Sequence, residues 1–453
     1  MSLTHLRSCT TGPVQAVLCC LCAAAFLLTG FACHSNPVTA NGPYLQLKTE
    51  YQGVTEVWLH LVAAPDRYAI KFTLTKDGSL HDSINALYLD TVLTIDSLLP
   101  KHNYTFKAER WSGATISVAS EQLNTSTLDT SSHDLVWRVD TLGDGAASQL
   151  YDVAVIGDTL AYAVGELYLK DSTGNFDPHA YNAARWHGGQ WELMRISVPL
   201  CGSNTSRYFP LNAVYAFGPD DVWFSGGGDI EHWDGSVFTM DCSMNHLING
   251  PIQRLWGSSP DELYAVGLRG TIIHRMHGVW EKLESGTSLD IQDIWGAQAA
   301  DGTWEVIAAA GNSFVSRDRT ILRISDTSVT VLSDNGIDWA LTTVWFMPGR
   351  YYWVAGDGIW MKRSTLEAPI WQGGPNIITT FVTDRMRGTD VNNIFFCGAY
   401  GDLSHFNGIS WRSFRQNTAL GYGQYYSIAV SKNSVVAVGA NYARAVVARG
   451  YHP

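Results

Sequence analysis

The residues that invite a chemical reading are few and scattered. Asp171, Thr173, Asn175 and Asp177 set side-chain oxygens at alternate positions of one segment. That spacing can wrap a calcium ion, which takes about six to eight oxygens. The glycine inside it is Gly174, off the position an EF-hand needs, and the twelfth residue is Asn182 rather than Glu. A polar turn is the competing reading. Cys201 and Cys242 would form a disulfide if their loops bring the Cα atoms within about 7 Å. Cys397 lies in the apolar run Ile394-Phe395-Phe396-Cys397-Gly398, where a buried free thiol is expected. His232, His274 and His405 recur at one position of a repeat, which spreads them over separate units as strand residues rather than a metal set. HExxH, Walker, GxSxG and Asp-x-Asp motifs do not occur in the sequence, and the CxxC spacing Cys19–Cys22 falls inside the apolar N-terminal stretch. The common hydrolase, nucleotide and redox chemistries thus have no signature in the rest of the chain.

The background around these residues is unusual. Only 16% of the 453 residues are charged, whereas 46% are hydrophobic, with 17 Trp, 20 Tyr and 42 Gly. That many aromatics with so little charge excludes a disordered or coiled-coil chain and points to an all-β fold. The 30 Lys and Arg face 42 Asp and Glu, giving a net charge of −12 with no basic run. Nucleic acid is therefore not an expected partner, because phosphate binding needs clustered cations.

The N-terminus reads as an address. Arg7 precedes a stretch from Val14 to Cys33 that is apolar except for Gln15 and Thr29 and ends Thr29-Gly30-Phe31-Ala32-Cys33. A positive start and an apolar core define a secretory signal, and the closing cysteine makes it similar to a bacterial lipoprotein signal, in which that cysteine is lipidated. Gly30 stands where that family prefers Leu. The expected organisation is a signal over 1–33 with Cys33 as the anchor, then a tether over 34–41. The competing readings are an ordinary cleaved signal and an uncleaved membrane anchor, since about 20 apolar residues can span a bilayer. No cofactor is expected beyond the calcium considered above.

Residues 42–128 read as a small β-sandwich. Apolar residues alternate at Val57, Leu59 and Leu61, at Ile70, Phe72 and Leu74, and at Val92 and Thr94, between turn signals such as Asp77-Gly78. Leu98, Pro100 and Tyr104 are spaced as in the tyrosine corner, and the module resembles a fibronectin type III domain. Trp58 departs from that pattern, because it points opposite to Val57 and Leu59.

From residue 134 to the end the chain repeats. An apolar strand ending in glycine returns seven times, at Gly165, Gly226, Gly267, Gly311, Gly356, Gly398 and Gly439, with steps of 61, 41, 44, 45, 42 and 41 residues. Each copy is flanked by a preceding apolar strand and a following Gly turn and aromatic strand, as in His232-Trp233-Asp234-Gly235 and His405-Phe406-Asn407-Gly408. Four short strands at this period mean a β-propeller. The last copy lacks a fourth strand, and Leu135-Val136-Trp137-Arg138-Val139 supplies it from the other end. The expectation is seven blades, closed by an N-terminal strand.

Signal, fibronectin-like module and seven-bladed propeller together resemble a bacterial envelope lipoprotein family, across nearly the whole chain. Some members carry a glucosyltransferase label for which these residues give no basis. The resemblance implies an architecture and an envelope location, outer membrane or secreted, rather than an activity. In a propeller the second–third turns and the connections between blades share the face where ligands sit. Arg207, Tyr208, Arg269, Tyr400, Asp402, Tyr425 and Tyr442 fall on or beside those loops, a set suited to a protein or glycan partner. The expected function is an anchored binding or scaffold protein without catalysis. The alternative is a carbohydrate-active hydrolase or lyase using carboxylates on the same face.

Overall fold

The computed structural model describes residues 44–453 apart from 87–88, 146, 188, 200–204 and 313–314. The signal, Cys33, the tether and Cys201 lie outside the described residues. Eight strands come first: β1 (Leu45–Gln52), β2 (Val57–Ala63), β3 (Ile70–Lys76), β4 (Ser79–Ala86), β5 (Leu89–Ile95), β6 (Asn103–Ser112), β7 (Thr115–Ala119) and β8 (Leu123–Ser126). One sheet is ordered β1-β2-β5; the other is β4-β3-β6, with β7 and β8 sharing the far edge of β6. Val57, Leu59 and Leu61 of β2 meet Phe72 and Leu74 of β3 and Phe106 and Ala108 of β6 between the sheets, the alternation that a half-buried strand requires. In β5 the core-facing residues are Leu89, Leu93 and Ile95, so the register is offset by one from the alternation expected at Val92 and Thr94. The Tyr104 hydroxyl accepts a hydrogen bond from the Leu99 N–H at 2.7 Å, tying down the strand corner.

Trp58 does face away from the sandwich core, yet it is buried. Its ring meets Tyr51 edge-on at 5.0 Å and lies under the Arg350 guanidinium. The covering comes from the second half of the molecule.

That half is a seven-bladed β-propeller. Blades 1 to 6 are four-stranded antiparallel sheets over residues 149–194, 213–240, 252–282, 291–332, 341–374 and 383–413. Blade 7 combines Gln424–Val430, Ser434–Asn441 and Arg444–Tyr451 with β9 (Val136–Leu142), which pairs antiparallel from Ala445↔Leu142 to Tyr451↔Val136. The inner strand of each blade packs on that of the next, and blade 7 on blade 1, so the ring is closed. Except in blade 2, the repeat glycines end the second strands where the neighbouring inner strand bulges. A Cβ on Gly165 would sit 2.1 Å from the Gln149 carbonyl oxygen, and one on Gly439 only 1.9 Å from that of Gln424. Only glycine permits so close an approach. Between blades the core is apolar; across the closing boundary Val436, Val438 and Val447 pack against Leu150, Ala163 and Ala184.

The sandwich sits on the face formed by the first–second and third–fourth hairpins of blades 5 and 6. Glu56, buried, accepts a hydrogen bond from the Tyr351 hydroxyl at 2.6 Å and pairs with Arg363 at 3.5 Å. Arg350 donates to the Glu50 carbonyl at 3.2 Å, and the Asn392 amide to that of Asp129 at 2.8 Å. Residues Leu45–Pro453 accordingly form one compact unit. The opposite face, with the second–third turns and interblade connections, carries none of these contacts.

Candidate functional site

On that opposite face, blades 5 to 7 build an aromatic ledge. Phe381, in the connection entering blade 6, lies 5.1 Å from Tyr400 in the second–third turn of that blade, and Tyr400 lies 6.3 Å from Tyr422 in the connection entering blade 7. Arg415 stacks over Phe381 at 4.7 Å and donates from Nε to the Tyr400 carbonyl at 2.7 Å. Tyr422 is 78% exposed and Tyr400 47%. Next to the ledge a cavity of about 290 Å³ is lined by Trp339, Asp357, Pro375, Thr379 and Phe381.

The backbone that presents this face is under strain. Arg269 and Tyr400 occupy the same three-residue turn in blades 3 and 6 with φ of +56° and +57°, each followed by a left-handed glycine, Gly270 or Gly401. Tyr442 begins the two-residue turn of blade 7 at φ +55°, where the corresponding turn of blade 2 has Gly227 at +64°. A side chain in the left-handed region costs about 1 kcal/mol relative to glycine. All three side chains are exposed, so burial in the core does not offset that cost.

The other expected residues separate. Arg207 and Tyr208 are exposed, and Tyr208 approaches the His179 ring at 5.8 Å. Tyr425 is not on the face: it opens the inner strand of blade 7 and is fully buried beside Phe395, Cys397 and Ile428. Asp402 is also buried; it accepts hydrogen bonds from Thr379 and Ser404, and burial pushes its carboxyl up. Phe381, Arg415 and Tyr422 escape a sequence reading because they lie in connections outside the repeat. Cys242 is disulfide-bonded, but Cys201, its expected partner, lies outside the described residues. Cys397 is a free buried thiol.

The Asp171–Asp177 segment folds back on itself. Asp171 Oδ1 accepts from the Thr173 N–H and hydroxyl at 2.8 and 2.6 Å and from the Asn175 N–H at 3.0 Å, while Asp177 pairs with Arg195. The loop's own donors and Arg195 thus engage both carboxylates. The repeated histidines serve the blades: His232, His274 and His405 bond to Asp221, Glu262 and Asn393 at 2.8, 2.9 and 3.0 Å, and stack on Trp223, Tyr264 and Phe395.

A second polar assembly occupies the centre of the ring. Asp293, completely buried, accepts two hydrogen bonds from Arg387, at 2.9 and 2.7 Å, and pairs with Arg385. It also accepts from the Thr343 hydroxyl at 2.6 Å and the Val344 N–H at 3.1 Å. Asp152 occupies the equivalent place in blade 1 and accepts from the Ser427 hydroxyl at 2.6 Å and the Val214 N–H at 3.1 Å. Burial pushes the Asp384 carboxyl up to about 7, against the Gln424 hydrogen bond. Burial also raises Glu231 to about 8. These two acids sit in blades 6 and 2, where the neighbouring carboxyls that add to the rise are Asp357 for Asp384 and Asp229 for Glu231.

These are the features of a β-propeller with two polar regions, one on a loop face and one in its channel. The fold is similar to that of YCF48 bound to a D1 peptide, at 14% identity and a TM-score of 0.51, over 70% of this chain and 97% of that one. YCF48 from Cyanidioschyzon merolae follows at 13% identity and a TM-score of 0.48, over 70% and 99%. Virginiamycin B lyase from Staphylococcus aureus follows at 8% and 0.46, over 70% and 99%. At such identities the likeness is one of fold. No protein-family model and no curated protein matches the chain.

Proposed function

We propose that this chain is a binding or scaffold protein of the bacterial cell envelope, lipidated at Cys33. In this reading a fibronectin type III-like module carries the propeller, whose turn-and-connection face binds a protein or glycan. The propeller fold is consistent with a binding role. The observation that carries the proposal is the ledge of Phe381, Tyr400 and Tyr422, where an exposed tyrosine is kept on left-handed backbone that glycine would occupy without strain. Left-handed side chains are often kept at ligand-binding turns, and exposed aromatics with an adjacent Arg suit a peptide or sugar ring. YCF48, of like fold, binds a D1 peptide, in keeping with a protein partner.

The test compares the mature protein with Tyr400→Ala and Tyr422→Ala on glycan arrays and in envelope pull-downs. Both variants should lose the captured ligand while melting normally. Hydrolytic turnover of polysaccharides without any stable ligand would overturn the reading in favour of an enzyme. For the anchor, palmitate labelling should vanish in Cys33→Ala, and unchanged labelling would reject lipidation there.

A further inference from the structure

We propose that the cavity at the centre of the propeller binds a single carboxylate group, with Arg254 as its anchoring cation. The cavity measures about 230 Å³ and lies between the inner strands. It exists because the blades differ at one position. Blades 2 to 5 place Tyr215, Trp256, Trp295 and Trp345 there, whereas blade 7 has Ala429 and blade 1 has Ala154. Trp256 and Trp345 fill the space over Gly296 and Gly388 of the following blades. The alanines leave theirs open.

Arg254 lines this space with donors to spare. Its Nη1 donates to the carbonyls of Gln253 and Asn212 at 2.6 and 3.3 Å, and its buried Nε has no hydrogen-bond partner among the described residues. No described carboxylate forms a contact ion pair with it, whereas Arg385 and Arg387 both pair with Asp293; its acidic neighbour, Asp384, interacts at longer range and is itself pushed up by burial. A guanidinium has five N–H donors, and half-buried Arg254 uses its Nη1 group on the two carbonyls, leaving Nε and Nη2 for a further acceptor. Asp293 meanwhile pairs with both Arg385 and Arg387, and Asp152 acts on Arg387 as a second negative charge, so these guanidiniums are already compensated. Asp152, also on the cavity wall, is satisfied by the neutral donors Ser427 and Val214. A carboxylate entering beside the alanines would give Arg254 the bidentate partner it lacks, with Trp256 and Trp295 as apolar walls for a small body attached to it. This site is separate from the aromatic ledge and does not depend on it.

Two carboxylate sources fit: a small free acid, or the C-terminus of a peptide. The probes are benzoate with benzamide, and the tripeptide Gly-Gly-Phe with its C-terminal amide, titrated into the whole mature protein while tryptophan fluorescence and ligand-observed NMR are recorded. Saturable binding of either acid, at least tenfold tighter than its amide and lost in Arg254→Gln, supports the site. Preference for benzoate then assigns a free acid, and preference for the tripeptide a chain terminus. Ala429→Trp tests the same space without touching the charge: it should abolish binding, and its melting curve and ledge binding show whether it is folded. Equal affinity for acid and amide, binding that survives both variants, or no binding of either acid overturns the proposal.

Discussion

Acid should weaken this protein through one histidine more than through any other. His405 is completely buried, stacked 4.2 Å from Phe395, with Nε2 bonded to Asn393 at 3.0 Å and to Ser131 at 3.2 Å. Its Nδ1 lies 2.9 Å from Nδ1 of His133, in the segment joining sandwich to propeller. One ring supplies the proton and the other accepts it, so two charged rings cannot share this contact. Burial first, then His133 and His452, hold the His405 pKa down at about 3, against 6.5 for a free imidazole. His133 is also lowered, by burial and Arg412, with Asp134 opposing. Because the folded pKa lies below the unfolded one, the stabilisation is complete above about pH 6.5 and is lost as pH falls toward 3. The slope is about 1.4 kcal/mol per pH unit for one proton, so moving from about pH 7.5 to about pH 5 removes about 2 kcal/mol through His405. Urea unfolding followed by tryptophan fluorescence at both pH values, for wild type and His405→Gln, isolates this share, because the remaining acid-sensitive groups cancel in the difference. Wild type should lose about 2 kcal/mol more than the variant. Equal losses would refute the assignment of His405 as the buried neutral ring.

Asp293→Asn should destabilise the ring by about 3–5 kcal/mol, since it removes the carboxylate that pairs with both Arg385 and Arg387; thermal melts read this directly. Tyr400→Gly should hold or raise stability, by up to about 1 kcal/mol, as strain relief opposes the added freedom of the unfolded chain, while ligand capture at the ledge falls. Gly439→Ala should damage blade 7 severely, because the new Cβ meets the Gln424 carbonyl at 1.9 Å, and limited proteolysis should then release fragments from that end. Glu56→Ala should loosen the sandwich by removing the partner of Tyr351 and Arg363, detectable as faster cleavage in residues 127–135.

The architecture was legible because repetition multiplies a weak signal. The glycine after each second strand marks a steric demand that recurs in every blade, and the missing fourth strand of blade 7 pointed to residues near Val136. Tyr104 was legible because a strand corner is local in sequence. The channel was not. Asp293, Arg385 and Arg387 come from two blades about ninety residues apart, and no spacing rule joins them until the ring closes. Tyr425 was misplaced for a related reason: it stands at the boundary between a connection and an inner strand, where one residue decides between solvent and core. Trp58 shows a third limit. Its register could be read, but its burial depends on blade 5, about three hundred residues away.

The pairing of β9 with the last strand has a consequence for how the chain must be made. During synthesis β9 emerges early and waits until Arg444–Tyr451 arrives, since Asp140 and its partner Arg449 are 309 residues apart. For that interval the strand is an unpaired edge, the kind that recruits neighbouring chains into aggregates. Its sequence, Val136-Trp137-Arg138-Val139-Asp140, breaks the apolar run with two opposite charges, which discourage such pairing. On closure the same charges become native contacts. Asp140 takes Arg449 at 3.0 Å, and Arg138 stacks over Tyr451 at 5.8 Å. Residues that guard the waiting strand thus also latch the finished ring, so a neutral Asp140→Asn chain should aggregate during expression even where its folded form is only mildly weakened.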